Sequence, residues 1–441
     1  MIKLRRSALI AIVLFNGGVT PALVAQNANV AQPAARAPPG CRDEQGLTYL
    51  CDLVVPEDIV TVGSTGLLLA SGHRAPGHLY LIDPKARTQS ELIHAPTFSM
   101  QHDKRAYPEC PGPLDLQAFD THGLSLAETS PRHFSLYTTS HGAREAIEIY
   151  DLDLRGATPA LAWKGCVLLQ QDGYHNSVAR LADGGFVTTR MRDQTFRNTP
   201  GVPPGITGRL FEWHPGGQPQ PILGTEMSLP NGIDVSKDER YIFVAEMGLQ
   251  QVVRFDRRAT PMTKRAVSLP IRPDNVHWAP DGKLLTAGPN YVAPSACSGA
   301  NCATGWSVLE VNPKTLAFSR LGGADQTAAM QAVSSAMRVG KDIWVGSNDD
   351  RVRVSRCRVE VCQPSRGMYD SYDGSRLCGD HRGLAVYSRC TRRGRDTRHD
   401  IRRFCSGASR ARARIRARDR PPRRDRSHLD GNRCDGNHGA A

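Results

Sequence analysis

Residues 230–244 read PNGIDVSKDERYIFV, and this stretch decides the fold. A polar entry at Pro230-Asn231-Gly232 opens a short apolar strand, Ile233-Asp234-Val235. Asp238-Glu239-Arg240 turns the chain, and Tyr241-Ile242-Phe243-Val244 returns as a second strand. Turn residues on either side of short β-branched and aromatic runs mark an antiparallel hairpin.

The same pattern recurs outward in both directions. Downstream, Pro273-Asp274-Asn275-Val276-His277-Trp278 passes through Asp281-Gly282 to Lys283-Leu284-Leu285. Upstream, Tyr174-His175-Asn176-Ser177-Val178-Ala179 passes through Asp183-Gly184-Gly185 to Phe186-Val187-Thr188-Thr189. Earlier copies open at Thr121-His122-Gly123-Leu124 and at Pro56-Glu57-Asp58-Ile59, and a weaker last one opens at Gln331-Ala332-Val333-Ser334. Several copies finish with a third, alternating strand, such as Ile147-Glu148-Ile149-Tyr150-Asp151 or Val252-Val253-Arg254-Phe255-Asp256. Copies start 43 to 65 residues apart, the span of one four-stranded propeller blade. A sheet with an apolar face does not bury it alone, and stacking such units around an axis solves that. An all-β, six-bladed β-propeller over residues 45–357 is the expectation. A strand near 47–55 would complete the last blade. Two packed sandwiches are the competing all-β reading, but they leave the polar opening of each copy without a reason.

The flanks read differently. Met1-Ile2-Lys3-Leu4-Arg5-Arg6 precedes an apolar run from Ala8 to Phe15, the pattern of an export signal. The run is about half of what a bilayer crossing needs, so no transmembrane segment is expected. Cleavage after Ala25 implies a signal peptide at 1–25, a linker at 26–44 and a periplasmic or secreted protein. From Arg358 to Ala441 there are 21 Arg, no Lys and 10 acidic residues, an excess of eleven positive charges out of the chain's +13. Such a run buries too little surface to offset its ordering entropy, so 358–441 reads as a disordered Arg-rich tail. Its attraction to nucleic acid or anionic lipid is by charge alone, and no specific nucleic-acid partner is expected. Without the tail the body is near neutral.

Twelve cysteines behind an export signal point to disulfides. No C-x-x-C pair suggests structural zinc. Cys297 and Cys302 fit a small closed loop, and Cys110 and Cys166 fall where they brace longer ones. Either Cys41 or Cys51 is a candidate to join Cys357, and the sequence does not choose between them. Oligomeric state is not legible.

In a propeller the first strand of each blade lines the axis, so the residues that open each copy converge. Here they are Glu57, His122, Asn176, Asn231, Asp274 with Asn275, and Gln331. Taken singly each has a bland explanation. Pro-Asn-Gly is a common turn phrase, and Glu57 or Asp274 suits a strand end. Together they present buried acids, each costing several kcal/mol unless paired or protonated. Calcium resolves this, since it takes about six to eight oxygens from carboxylates, amides and water. Glu57, Asn176, Asn231, Asp274 and Asn275 are therefore the candidate Ca2+ ligands.

His122 opens a blade beside that ion. His141, in Thr138-Thr139-Ser140-His141-Gly142, ends the returning strand, so the two touch if the strands lie side by side. One imidazole would take a proton from water and the other would orient it, making His122 and His141 the candidate catalytic pair. His175 reads as structural. Asp58, Asp115, Asp120 and Asp172 are acids near the channel mouth with nothing further to distinguish them. The chain has no G-x-S-x-G elbow and no phosphate-binding glycine loop, which argues against acyl-enzyme and nucleotide chemistry.

PEDI at 56–59, THGL at 121–124, TSHG at 139–142, HNSV at 175–178, LPNGIDVS at 229–236 and RPDNV at 272–276 recur in order. In this the chain resembles the calcium-dependent six-bladed propeller hydrolases. These are the paraoxonase/arylesterase family with its gluconolactonase-like and strictosidine-synthase-like relatives. The resemblance implies a catalytic calcium on Glu57, Asn176, Asn231, Asp274 and Asn275, a histidine dyad at His122 and His141, and a disulfide from Cys357 to Cys41 or Cys51. It also implies a structural calcium on Asp58 and an acid after the first blade-opening Asn, where this chain has Ser177. The implied activity is hydrolysis of a small-molecule lactone or a carboxylic or aryl ester. Two other readings stay open: a sugar-lactonase-like or strictosidine-synthase-like enzyme that does not use the histidines, and a non-enzymatic binding propeller.

Overall fold

The computed structural model describes residues 47–197, 204–291, 305–325, 332–348, 355–358, 368–370 and 376–378. The chain divides into two compact units, Met1–Glu360 and Val361–Ala441.

The first unit is an all-β propeller. After β1 (Thr48–Tyr49) comes a sheet of β2 (Ile59–Thr61), β3 (Leu68–Gly72), β4 (His78–Asp83) and β5 (Thr88–Glu91). The next holds β6 (Phe98–Met100), β7 (Asp120–Ser130), β8 (His133–His141), β9 (Ala146–Asp153) and β10 (Ala160–Leu168). A third follows with β11 (Gly173–Arg180), β12 (Phe186–Asp193), β13 (Arg209–Trp213) and β14 (Gln220–Pro221). β15 (Pro230–Val235), β16 (Tyr241–Glu246), β17 (Gln251–Asp256) and β18 (Thr263–Ser268) form another. So do β19 (Val276–Trp278), β20 (Leu284–Pro289), β21 (Trp306–Val311) and β22 (Phe318–Ala324). The last runs β23 (Val333–Val339), β24 (Asp342–Ser347) and β25 (Ser355–Arg358), and β1 adds to it. That addition pairs Thr48 with Arg356 and Tyr49 with Ser355, the N-terminal closure expected from the sequence.

The expectation of six like blades needs a correction. Five sheets have four strands, whereas the one built on β7 has five. The fifth is β6, which joins β10 in parallel through Leu161 and Phe98. The long connection to Asp120 gives β6 room to fold back on the outer edge.

Alternation within single strands explains the stacking. In β16, Ile242 and Val244 pack with Ala179, Val187 and Leu210 of the preceding sheet. Phe243 and Ala245, pointing the other way, pack with Val276, Leu284 and Val311 of the following one. Both faces are covered, so second strands read as continuous apolar runs; β3 is buried at all five positions. Fourth strands such as β18 face solvent and are polar. Each buried Val, Leu, Ile or Phe contributes roughly 1.5–3 kcal/mol.

The first strands meet in order around the axis, β2 to β7, β11, β15, β19, β23 and back to β2. They approach so closely that glycine is required at two of them. A Cβ on Gly123 would lie 2.5 Å from the Ser177 Cα, and one on Gly232 would lie 2.5 Å from the Asn275 Cα. The glycines of THGL and PNG are there for space.

Disulfide expectations resolve only partly. Cys110 and Cys166 bond to each other. Cys51 is disulfide-bonded. Cys41, the Cys357 side chain, Cys297 and Cys302 lie outside the described residues, as do Gln331 and the candidate signal and linker. In the second unit, β26 (Met368–Asp370) pairs antiparallel with β27 (Arg376–Cys378), a short pair within the stretch read as a tail without strands. Among the described residues no helix is long and apolar enough to cross a membrane.

Gly232→Ala should cost about 1–3 kcal/mol or more through overpacking. Gly205→Ala, where an added Cβ meets nothing within 4 Å, is the neutral comparison. Urea midpoints check this, and equal midpoints for the two variants would contradict the close approach.

Candidate metal and catalytic site

Local backbone irregularity aims the site. In β7 the pairing jumps from Thr121 to Leu124, in β11 from His175 to Val178, and in β15 from Pro230 to Ile233. Each jump skips two residues: His122 with Gly123, Asn176 with Ser177, Asn231 with Gly232. A bulge at the same place in three sheets turns one polar side chain out of the pleat and toward the axis. Glu57 and Asn275 reach it from the residues just before β2 and β19.

The side chains form one contact network. Asn275 Nδ2 donates to Glu57 Oε1 at 2.8 Å. Asn231 hydrogen-bonds the Asp274 carboxylate. Glu57 Oε2 lies 3.6 Å from His122 Nε2, and Asn176 Nδ2 lies 3.4 Å from the same nitrogen. Glu57, Asn176, Asn231 and Asn275 are all buried, yet Glu57 Oε2 and the Oδ1 atoms of the three asparagines have no hydrogen-bond partner. These are four orphaned oxygens from four sheets. Burial and the neighbouring Asp58 push the Glu57 carboxyl up to about 8. Burial and the charge of Glu57 raise Asp274 well above the usual carboxylate range.

Unsatisfied buried oxygens beside strained carboxylates are what a hard, oxygen-seeking dication relieves. The donor set fits calcium. Among the described residues no three His, Cys, Asp or Glu side chains gather into a metal cluster, so such a site depends on amide oxygens.

On the other side of His122 a relay runs outward. β7 and β8 pair Asp120 with His141 and Thr121 with Ser140, bringing the two histidines side by side. His122 Nδ1 is 2.9 Å from His141 Nε2, and His141 Nδ1 is 2.7 Å from Glu145 Oε1. The carboxylate fixes the tautomers: His141 donates from Nδ1 and accepts at Nε2, so His122 donates from Nδ1 and keeps its Nε2 lone pair toward the axis. Burial, with His73 and His141 beside it, holds the His122 imidazole well below its ordinary value, in the neutral form. Burial alone would raise Glu145, but hydrogen bonds from His141 and His175 outweigh it and bring it down to about 2. His175 is structural, as its sequence position suggested: its backbone N–H and Nδ1 both meet Glu145 Oε2.

Three residues of the site were not singled out from the sequence. Glu145 stands four places after His141, which is a usable signal. His73 stacks face to face on His122 at 4.0 Å and bonds Asp120 at 3.1 Å. Ser71-Gly72-His73 ends β3 much as Ser140-His141-Gly142 ends β8, so the repeat itself offered the signal. Tyr174 stacks on His141 at 4.2 Å.

The remaining acids separate cleanly. Asp172 pairs with Arg190 at 3.3 Å, and Asp115 accepts from the Gln117 N–H within a turn. Asp58 accepts from the Leu124 N–H at 2.8 Å and from His277 Nε2 at 2.7 Å. Burial alone would lower His277, but Asp58 and Asp234 outweigh it and carry it to about 10. Both Asp58 oxygens are engaged and Ser177 brings no charge, so this place does not fit a second calcium.

Residues 140–307 match the family model described as SMP-30/Gluconolactonase/LRE-like region. The matched stretch takes in His141, Asn176, Asn231, Asp274 and Asn275 but not Glu57 or His122. It falls on the gluconolactonase-like side of the resemblance, and a paraoxonase or arylesterase assignment is not shown by it. No curated protein matches the chain. Among solved structures, a luciferin-regenerating enzyme is similar at 14% identity with TM-score 0.45, over 78% of this chain and 99% of its own. A gluconolactonase from Xanthomonas campestris is similar at 16% identity with TM-score 0.42, over 71% of this chain and 89% of its own. A calcium-binding regucalcin from Agrobacterium tumefaciens is similar at 10% identity with TM-score 0.42, over 70% of this chain and 91% of its own.

Proposed function

We propose that this chain is an exported, calcium-dependent hydrolase of lactones or carboxylic esters, with its site on the axis of a six-bladed propeller in which the five-stranded sheet counts as a blade. The observation that carries the reading is the set of four partnerless buried oxygens beside two proton-retaining carboxylates. Glu57, Asn176, Asn231, Asp274 and Asn275 would hold the ion. Calcium bound there supplies the positive charge that polarises a carbonyl and stabilises a developing oxyanion.

The protein's own groups do the rest. His122, neutral and with its Nε2 lone pair facing the axis, accepts a proton from an attacking water. The positive charge this creates is stabilised through His141 by the Glu145 carboxylate. Asn176 Nδ2, near the same nitrogen, orients the water or the carbonyl oxygen. The Cys110–Cys166 bond supports an oxidising compartment, and hence export.

The sugar-lactonase-like reading, in which the histidines are dispensable, is favoured by one observation: residues 140–307 match a family model described as gluconolactonase-like. Under the leading reading, the double variant His122→Gln, His141→Gln should lose at least about 10²-fold in kcat, the scale of one general base. Full turnover in that variant, with loss in Asp274→Asn, would select the alternative. No turnover by the wild type on any lactone or ester, with or without calcium, would select a binding propeller.

Glu57→Gln should abolish calcium retention, measured by metal content after dialysis, and turnover with it. Turnover that survives chelation would overturn the metal role.

Calcium binding should also depend on pH in a defined sense. Glu57 is raised to about 8, so below that pH the metal-free carboxyl holds a proton that calcium must displace. Asp274 is raised as well, so affinity should climb by up to about tenfold per pH unit for each proton displaced as pH rises toward 8. Calorimetry in buffers of differing ionisation enthalpy would show the released proton. An affinity independent of pH between 6 and 8 would contradict the Glu57 assignment.

A further inference from the structure

Arg192 stands out among the charged groups around the histidines. Its strand β12 pairs it with Tyr174, and its guanidinium lies over the Tyr174 ring at 4.1 Å. The opposite face of that ring stacks on His141. The Tyr174 hydroxyl reaches His73 Nε2 at 3.3 Å. Arg192, Tyr174 and His141 thus form a column leading out of the proposed site, with Arg192 half-buried at its outer end.

Four acids of that neighbourhood are engaged elsewhere, and Glu57 belongs to the proposed ion site. Asp120 pairs with His73, Glu145 with His141 and His175, and Asp172 and Asp193 both with Arg190. Among the described residues, the remaining polar contact of Arg192 is a long one, Nη1 to the Asp193 carbonyl at 3.4 Å. A guanidinium that is stacked by one face and partly dehydrated, with its edge N–H groups unspent, is preset for a planar anion. Ring stacking uses the flat face of the guanidinium and leaves those edge donors over.

We propose that Arg192 recognises a carboxylate on the substrate, set back from the reacting carbonyl rather than attached to it. This rests on the hydrolase reading above and narrows its substrates to lactones or esters that carry such an anionic arm.

The calcium-loaded enzyme would be tested on two γ-lactones that differ in one side-chain group, a carboxylate in one and its primary carboxamide in the other. The wild type should favour the carboxylate at least about tenfold in kcat/KM. Arg192→Gln should collapse the ratio toward one, mainly through KM, and Arg192→Lys should retain part of it. Calorimetric binding of an inert cyclic ether carboxylate runs alongside, and its Kd should rise at least about tenfold in Arg192→Gln. Arg192-dependent binding without ring opening of any lactone would uphold the anion subsite and sink the hydrolase reading. Ring opening with no preference for the carboxylate, or a preference that Arg192→Gln leaves intact, would overturn the subsite alone. Carboxylate binding that ignores Arg192 would overturn it as well.

Discussion

Four oxygen atoms buried at the propeller axis without a single donor to satisfy them are the constraint on which the rest of the site depends. Such atoms are costly when dry, and their convergence from four sheets on one point sets these four apart from other unpartnered groups in the protein. The inner strands show how firmly they are imposed. Thr189 Oγ1 donates to the Asn231 carbonyl at 2.6 Å, and the Gly232 N–H donates to the Asp274 carbonyl at 2.9 Å. Ser335 Oγ donates to the Glu57 carbonyl at 2.9 Å. The backbones bearing the polar side chains are pinned to their neighbours, so the side chains cannot retreat.

The electrostatics sort into two halves on either side of His122. Toward the axis, acids are raised and lack counter-charge. Away from it, histidine partners hold Glu145 ionised, Asp120 bonds His73, and Asp58 has its own imidazolium at His277. His122 sits between a region that calls for positive charge and one already balanced. Burial keeps its own imidazole neutral.

Much of this was readable from the chain because a propeller repeats. Once PNGIDVS and RPDNV are aligned, the convergence of Asn231, Asp274 and Asn275 follows from topology without coordinates. The pairing of His122 with His141 follows from adjacent strands in the same way. Apart from His73 and Glu145, what escaped had no local signal to announce it. β6 pairs in parallel from the far side of a long loop, which no hairpin pattern encodes. The three bulges depend on register, which one sequence does not fix when turns vary in length. Tyr174 matters through its stacking on His141 of a different sheet, and such a contact leaves no local period.

Ring closure carries a consequence for how this protein comes into being. Thr48 and Arg356 are neighbours in one sheet although nearly the entire propeller lies between them in sequence. Individual hairpins assemble from local contacts, but that final seam joins the earliest strand to the latest and must wait for both. A chain emerging end first, from a ribosome or across a membrane, therefore spends its emergence as an open arc. Its axial carboxylates stay hydrated, and the proposed ion site unassembled, until the last strand arrives.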